Sequence, residues 1–322
     1  MDFVTEMTYR RLGDSGLVVS AVGVGCNNFG RRVDLDGTRA VVAAALDSGI
    51  NFFDTADIYG APPGGSEELL GQVLKGRRDD VVIATKFGMD MDGHNGPDYG
   101  ARGARRYVMR AVEASLRRLQ TDHIDLYQLH EPDRGTPIDE TLAALDDLVT
   151  AGKVRYLGNS NFDGWQIADA DWTASSRGST RFISAQNHYS LLERGVEAEV
   201  VPACERFGLG LLPFFPLANG LLTGKYKRGE AAPSGSRLAG GGRYAARLAA
   251  ANWDTIEALE AYAAERGLSL LQVAIGGLAA QPAVTSVIAG ATTPDQVRAN
   301  AAAGAWQPDA DDFDALRAVL DS

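Results

Sequence analysis

Four side chains in this sequence have the chemistry needed to move a proton to or from an oxygen atom. Asp54, Lys86 and His130 each follow a short apolar run, and Tyr59 lies five residues beyond Asp54. A lysine cation near a phenol stabilises the phenolate and lowers the pKa of the tyrosine, while a carboxylate keeps the lysine charged. A histidine can donate a hydrogen bond to the same substrate oxygen. The set has no obvious nucleophile or second carboxylate, so it favours carbonyl reduction with hydride from a cofactor.

The elements that must position these residues follow one recurring pattern. An amphipathic helix ends at a glycine, a short apolar run follows, and a polar residue ends the run, as in residues 41–54. Glycine suits the left-handed residue at the end of a helix, and a short run rich in branched residues is typical of a strand buried on both faces. About eight such units are expected, which is typical of a closed parallel barrel. A doubly wound open sheet is the structural alternative.

Two segments interrupt the pattern. Residues 7–20 are expected to form a hairpin before the first barrel strand, with its turn at residues 14–16. Residues 217–250 are rich in Gly, Pro, Ser and Arg, and they form a long loop after the seventh strand, as expected for a lid or a binding loop. No linker is visible, so residues 1–322 are predicted to form a single domain.

In a barrel the site lies at the carboxyl ends of the strands, where the four polar side chains would meet.

The composition limits the class of partner. The chain has 31 basic and 42 acidic side chains and a formal charge of −11, which argues against a nucleic-acid binder or a polybasic membrane binder. An anionic ligand would need a local basic pocket. Cys26 and Cys204 are too far apart for a CxxC clip, and residues 1–6 lack the apolar core of a secretory signal. We expect a cytoplasmic protein without a membrane span; its oligomeric state stays open.

Six motifs in order resemble those of the aldo-keto reductases, from about Tyr9 to beyond Asn300. They are DTADIYG at 54–60, ATKFG at 84–88, LYQLH at 126–130, GNSNF at 158–162, QNHYS at 186–190 and PLANGLLTGKY at 216–226. The resemblance implies an α/β fold, a (β/α)8 TIM barrel that binds NADPH, sometimes NADH, in an extended pose without a Rossmann motif. It also implies a small carbonyl compound as the substrate. The catalytic tetrad of the family falls on Asp54, Tyr59, Lys86 and His130.

The resemblance also implies the residues that bind the cofactor. Ser160, Asn161 and Gln186 would hold the nicotinamide carboxamide. Relatives commonly have an aromatic residue, often tyrosine, at the position of Phe214, and serine at the position of Phe215. Phe214 keeps a ring that can stack on the nicotinamide. Phe215 lacks the serine hydroxyl that often contacts phosphate. Lys225 and Arg237 match positions near the diphosphate and would replace it. The full implied set is Gly25, Cys26, Asn27, Asp54, Ser160, Asn161, Gln186, Phe214, Phe215, Pro216, Leu217, Lys225, Arg237, Gly290, Thr292, Gln296 and Asn300.

Residues 289–300 follow the eighth strand and are predicted to open a helix, with Pro294 in its first turn. A helix N-terminus after a glycine turn is an anion site. By resemblance, Thr292 and Gln296 would face the 2′-phosphate or the ribose, and Asn300 would face the adenine. Gln296 could instead complete a capping box with its own helix.

The choice between the two nicotinamide cofactors depends on charge in this segment. Several relatives carry arginine or lysine at the position of Thr292, where this chain lacks a positive charge. Arg298 is the residue that would supply that charge instead. NADP(H) is therefore the predicted cofactor, and NAD(H) is the alternative.

Two further functions are compatible with the same residues. A cofactor-occupied regulatory subunit, like the relatives that associate with potassium channels, would keep the site but turn over slowly as a sensor. Lys86 could form an imine, as in barrel aldolases, although Asp54 would oppose the required fall in its pKa. No metal site is expected, because the first strand ends in Gly25-Cys26-Asn27-Asn28 and lacks the paired histidines of barrel hydrolases.

Overall fold

The computed structural model of the chain describes residues 7–321. Residues 1–6, on which the expectation of no secretory signal rests, and residue 322 lie outside this range. The core of the described part is a sheet of eight parallel strands, preceded by an antiparallel pair. In chain order, the strands are β1 (Tyr9–Arg11), β2 (Val18–Ser20), β3 (Val22–Gly25), β4 (Phe52–Asp54), β5 (Val82–Phe87), β6 (Ile124–Leu129), β7 (Val154–Ser160), β8 (Phe182–Gln186), β9 (Gly210–Leu211) and β10 (Val287–Gly290).

The parallel sheet closes into a (β/α)8 barrel, as the sequence predicts. The strand order is β10, then β3 to β9, so the last and the first barrel strands are neighbours. At the remaining seam, Leu211 N donates to Ala283 O, and Ile288 N donates to Pro213 O at 3.0 Å. These bonds join the segment around β9 to the segment before and within β10. The open doubly wound sheet is therefore excluded.

The predicted hairpin is present at the amino end of the barrel. β1 pairs with β2 so that Tyr9 is opposite Ser20. Leu12 and Val19 are fully buried and pack with Phe52 and Leu126 of the barrel strands. Because apolar side chains from the hairpin fill this end, the opposite, carboxyl end is left for a ligand.

Helices follow the barrel strands and cover the outside of the sheet. Several end at a left-handed glycine, as the sequence pattern predicts; Gly208, for example, has φ 72° and follows α6. Within the described residues, no helix is long and apolar enough to cross a membrane. The helices are α1 (Leu35–Asp47), α2 (Gly65–Val73), α3 (Arg105–Leu119), α4 (Ile138–Thr150), α5 (Gly164–Arg177), α6 (Val200–Phe207), α7 (Arg243–Ala249), α8 (Trp253–Glu265), α9 (Leu270–Ala279), α10 (Pro294–Ala303) and α11 (Ala310–Leu320).

The long segment after β9 is more ordered than a simple loop. It contains two 3-10 segments, Ala218–Thr223 and Arg237–Gly240, and then α7. Tyr226 and Leu238 are almost completely buried in an apolar cluster with residues of α8 and α9. The segment is therefore packed against the barrel, which fixes where its polar side chains lie at the carboxyl end of the strands.

Candidate active site

The centre of the site is a buried ion pair between adjacent strands. Asp54 ends β4 and Lys86 lies near the end of β5, and the register pairs Asp54 with Ala84. Lys86 Nζ donates to Asp54 Oδ2 at 2.6 Å and to Thr55 O at 2.8 Å. Lys86 is completely buried and Asp54 nearly so. Because the interior has a low dielectric constant, the two charges hold each other in a fixed geometry.

Two glutamine side chains complete the surroundings of Asp54. Gln128 Nε2 donates to Asp54 Oδ1 at 3.2 Å, and Gln186 Nε2 donates to the same oxygen at 2.8 Å. Both glutamines belong to barrel strands, and both side chains are buried. The carboxylate therefore receives donors on both oxygens, as a buried charge requires.

Tyr59 and His130 lie together in front of this pair. Lys86 Nζ is 5.2 Å from the centroid of the Tyr59 ring. The Tyr59 and His130 rings meet edge to face, with centroids 5.8 Å apart. Both residues line the large cavity at the carboxyl end of the barrel, whereas Lys86 lies behind them. The four residues of the predicted tetrad are thus brought together.

Burial and neighbouring charges together shift the pKa values of Tyr59, His130 and Lys86. Burial raises the pKa of Tyr59, although the Lys86 cation opposes this effect. Burial and the Lys86 cation hold the pKa of His130 well below its ordinary range. Burial opposes the charge of Lys86, but Asp54 and Tyr59 outweigh it and raise the pKa of the lysine.

One of these pKa shifts differs from the expectation drawn from the sequence. The expectation of a lowered pKa for Tyr59 is wrong for this structure, because burial outweighs the cation. At neutral pH Tyr59 is a protonated phenol and His130 a neutral imidazole, and both are able to donate a hydrogen bond to a carbonyl oxygen. The raised pKa of Lys86 disfavours the imine chemistry of a barrel lyase, which needs an uncharged amine.

The cavity has a volume of about 680 Å³, within the range of small-molecule sites. Apart from Cys26, every residue of the implied cofactor set lines it. Cys26 is fully buried, and its Sγ donates to Val24 O instead. The lining residues of the implied set are Gly25, Asn27, Asp54, Ser160, Asn161, Gln186, Phe214, Phe215, Pro216, Leu217, Lys225, Arg237, Gly290, Thr292, Gln296 and Asn300.

Polar residues of β7 and β8 surround the Tyr59 end of the cavity. Ser160 Oγ donates to Gln186 O at 2.8 Å. Asn161, which has a left-handed φ of 58°, donates from Nδ2 to His130 O at 2.9 Å. The Phe214 ring is stacked on His188 with an angle of 9° between their planes. Ser160, Asn161 and Phe214 thus bring a hydroxyl, an amide and an aromatic ring to one cavity, which suits a flat ring that carries a carboxamide.

Three cations that line the cavity have no carboxylate partner among the described residues. Arg32, Lys225 and Arg237 line the cavity, and none of them forms an ion pair with any residue in the range 7–321. Other cations of this acidic chain do have such a partner, as Arg228 does with Glu257. Unpaired cations gathered in one cavity indicate an anionic ligand. A diphosphate-bearing dinucleotide fits these residues.

Within residues 7–321, no unpaired cation lines the end of the cavity at α10. Thr292 N and Oγ1 both donate to Gln296 Oε1, and Thr293 Oγ1 caps the helix by accepting from Gln296 N. Gln296 therefore serves its own helix in this structure while still lining the cavity. Arg298 pairs with Asp295 at 2.9 Å and does not line the cavity, so it does not replace the missing cation.

Arg32 and Gln128 are among the site residues that sequence reasoning did not select. Arg32 follows the first barrel strand by seven residues, and its place after a strand end was the available signal. Gln128 is a polar residue in the otherwise apolar run of β6, and that interruption of the pattern marks it. Among the aromatic residues near the strand ends, Phe29 and Phe87 are fully buried and Tyr99 is exposed, whereas Phe215 lines the cavity.

Histidine, cysteine and carboxylate side chains do not form a metal centre in the described range, where no group of three or more could hold an ion. His188 is stacked on Phe214 and His130 faces Tyr59. His130 therefore lines the cavity beside Tyr59, and His188 packs against Phe214, which lines the cavity.

Comparison with known proteins identifies the group to which these features belong. The model of the Aldo/keto reductase family matches residues 21–321. An uncharacterized oxidoreductase of Bacillus subtilis (strain 168) is 40% identical over 299 residues, covering 91% of this chain and 89% of the relative. A probable voltage-gated potassium channel subunit beta of Oryza sativa subsp. japonica is 37% identical over 303 residues (91% and 90%). L-glyceraldehyde 3-phosphate reductase of Escherichia coli (strain K12) is 35% identical over 311 residues (92% and 87%).

Proposed function

Since the chain belongs to the aldo/keto reductase family, we propose that it reduces an aldehyde or ketone to the alcohol with NADPH, and that Tyr59 is the general acid. The observation that carries this proposal is the position of Tyr59 and His130 at the cavity wall, directly in front of the buried Lys86–Asp54 pair. The arrangement delivers one proton to one oxygen, and Asp54 is the single carboxylate that lines the cavity among residues 7–321. It therefore suits a reaction in which the other reactant is a hydride.

Each member of the tetrad has a defined task. Tyr59 donates its phenolic proton to the carbonyl oxygen as negative charge develops there. Lys86 stabilises the phenolate that remains, and Asp54 with its glutamine donors keeps Lys86 charged and oriented. His130, neutral because of burial and the nearby cation, donates a hydrogen bond to the same oxygen and aligns the carbonyl group.

Two groups of cavity residues would bind different parts of the cofactor. When bound, the reduced nicotinamide supplies the hydride. Ser160, Asn161 and Gln186 would hold the carboxamide, and Phe214 would stack on the ring. Arg32, Lys225 and Arg237 would bind the diphosphate, which NADP(H) and NAD(H) both carry. NADP(H) is the proposed cofactor because the chain belongs to the aldo/keto reductase family.

A steady-state assay with a panel of aldehydes and ketones tests the proposal. We expect oxidation of NADPH that depends on the carbonyl compound, and weaker binding of NADH than of NADPH in a fluorescence titration. Turnover without any dependence on a carbonyl compound would contradict the proposed reaction.

A second function is favoured by one observation, the similarity to the rice channel subunit. A regulatory subunit of this type would retain the cofactor and use its slow turnover as a sensor. The two proposals differ in rate: tight NADPH binding with almost no consumption across the whole carbonyl panel would favour the regulatory subunit. The complete tetrad, with Tyr59 and His130 at the cavity wall and Lys86 behind them, favours the enzyme.

A further inference from the structure

Arg237 occupies an unusual position for a cation. It is partly buried, lines the cavity and has no carboxylate partner within the described chain. Burial lowers its pKa, and repulsion from Arg32 and Arg247 acts in the same direction, whereas Tyr244 and Tyr226 oppose this shift. A desolvated cation near like charges needs another source of stabilisation, because otherwise it would move into solvent.

Two neutral groups hold the guanidinium in place. Arg237 Nη2 donates to Asn28 Oδ1 at 3.3 Å. The guanidinium carbon is 5.7 Å from the centroid of the Phe215 ring, within the distance at which a cation is attracted to an aromatic face. The hydrogen bond to Asn28 is long. The aromatic face of Phe215 is therefore needed as a second contact that holds the Arg237 guanidinium.

The Phe215 ring is itself fixed by its surroundings. It meets Phe214 edge to face at 5.3 Å and His188 edge to face at 5.8 Å. Its backbone has a left-handed φ of 53° immediately before Pro216, a conformation that a phenylalanine rarely adopts. Strain of this kind persists where the surrounding structure requires one orientation, and it is often found at binding sites.

From these contacts we propose that Phe215 is a positioning residue whose ring holds Arg237 over the cavity before the cofactor binds. The inference rests on the proposed function, because the anion that Arg237 meets is a phosphate group of the dinucleotide. A cation that is already in place loses little freedom on binding, and preorganisation of this kind increases affinity. Phe215 thus compensates for the phosphate-binding hydroxyl that this position lacks.

Arg32 supports the same arrangement from the other wall of the cavity. Its Nη2 donates to Gly235 O at 3.3 Å, two residues before Arg237. The segment that carries Arg237 is therefore attached to the loop after β3 on one side and stacked on Phe215 on the other. Of these two attachments, only the ring contact acts on the guanidinium itself.

A double-mutant cycle on NADPH binding tests the proposal, with Kd measured by fluorescence titration of the full chain. Phe215→Leu keeps an apolar side chain but removes the aromatic face, and Arg237→Ala removes the cation. We expect Phe215→Leu to weaken NADPH binding about three- to thirty-fold in the otherwise unchanged protein. In the Arg237→Ala background, the same substitution should change Kd by less than about two-fold. Phe215→Tyr, which keeps the face, should restore the affinity.

Several outcomes would overturn the inference. An equal loss of affinity in both backgrounds would show that Phe215 acts independently of Arg237, and so would a Phe215→Tyr protein as weak as Phe215→Leu. If thermal melting shows that Phe215→Leu does not fold, Phe215→Met is used in the same cycle with the same criteria. If the unmodified chain does not bind NADPH, both the proposed function and this inference fail. Binding without coupling between the two positions refutes the inference alone.

Discussion

Lys86 Nζ donates a 2.6 Å hydrogen bond to Asp54 Oδ2, and their side chains are 0% and 3% exposed. A buried ion pair contributes little net stability, since removing two charges from water offsets their attraction. Removing one partner is different, because the other charge is then left without compensation in a medium of low dielectric constant. The stability of the barrel and the protonation of Tyr59 therefore depend on the same contact.

The first prediction concerns this pair. Asp54→Asn leaves Lys86 as an uncompensated buried cation, so we expect the free energy of unfolding to fall by about 3 to 5 kcal/mol in urea denaturation. The double variant Asp54→Asn/Lys86→Met removes both charges and should recover most of the lost stability without any recovery of carbonyl reduction. A single variant as stable as the parent would contradict the view that the pair is buried and mutually dependent.

The second prediction concerns the proton donor. Tyr59→Phe keeps the ring beside His130 and Lys86 but removes the hydroxyl, so kcat for carbonyl reduction should fall by about 10² to 10⁴ fold. The Kd of NADPH should change little, because the phenol is not required to hold the cofactor. The measurement is single-turnover kinetics together with a binding titration. Retention of full activity would remove Tyr59 from its role.

The third prediction concerns pH. Because burial raises the pKa of Tyr59 and lowers that of His130, both groups keep one protonation state through the neutral range. We expect kcat/KM for reduction to be level between about pH 7 and pH 9 and to fall at higher pH as Tyr59 loses its proton. Oxidation of the alcohol should rise over the same alkaline range, since it needs the phenolate.

The same shift has a consequence for stability. The folded state keeps the Tyr59 phenol protonated, so its contribution to stability is present below about pH 10 and is lost as the pH rises through the raised pKa. A fall in the reduction rate that begins near neutral pH, and is absent in Tyr59→Phe, would instead indicate that the lysine lowers the pKa of Tyr59.

Much of the fold follows from the order of apolar runs and glycines in the sequence. The helix, glycine and strand pattern places Asp54, Lys86 and His130 at the ends of successive strands, and barrel closure brings them together. What the pattern does not contain is the balance of electrostatic effects at Tyr59. Burial and the Lys86 cation act in opposite directions there, and only the three-dimensional surroundings decide which is larger.

The phosphate end of the cavity was less predictable for a similar reason. Arg298 lies in the right segment of the sequence, but its place on α10 directs it to Asp295. Arg32, which sequence reasoning did not select, reaches the cavity because the segment around Gly235 folds back over the loop after β3. Contacts between segments about 200 residues apart depend on tertiary packing.

The last prediction compares these two arginines. Arg32→Ala removes an unpaired cation from the cavity, so it should weaken NADPH binding about ten-fold and reduce the dependence of Kd on salt concentration. Arg298→Ala is the matched control: it removes an exposed arginine that is already paired with Asp295, and it should leave the Kd of NADPH within about two-fold. Both Kd values are measured by fluorescence titration at low and at high salt. If Arg298→Ala weakens binding more than Arg32→Ala does, the phosphate groups of the cofactor lie at the N-terminus of α10 rather than beside Arg32.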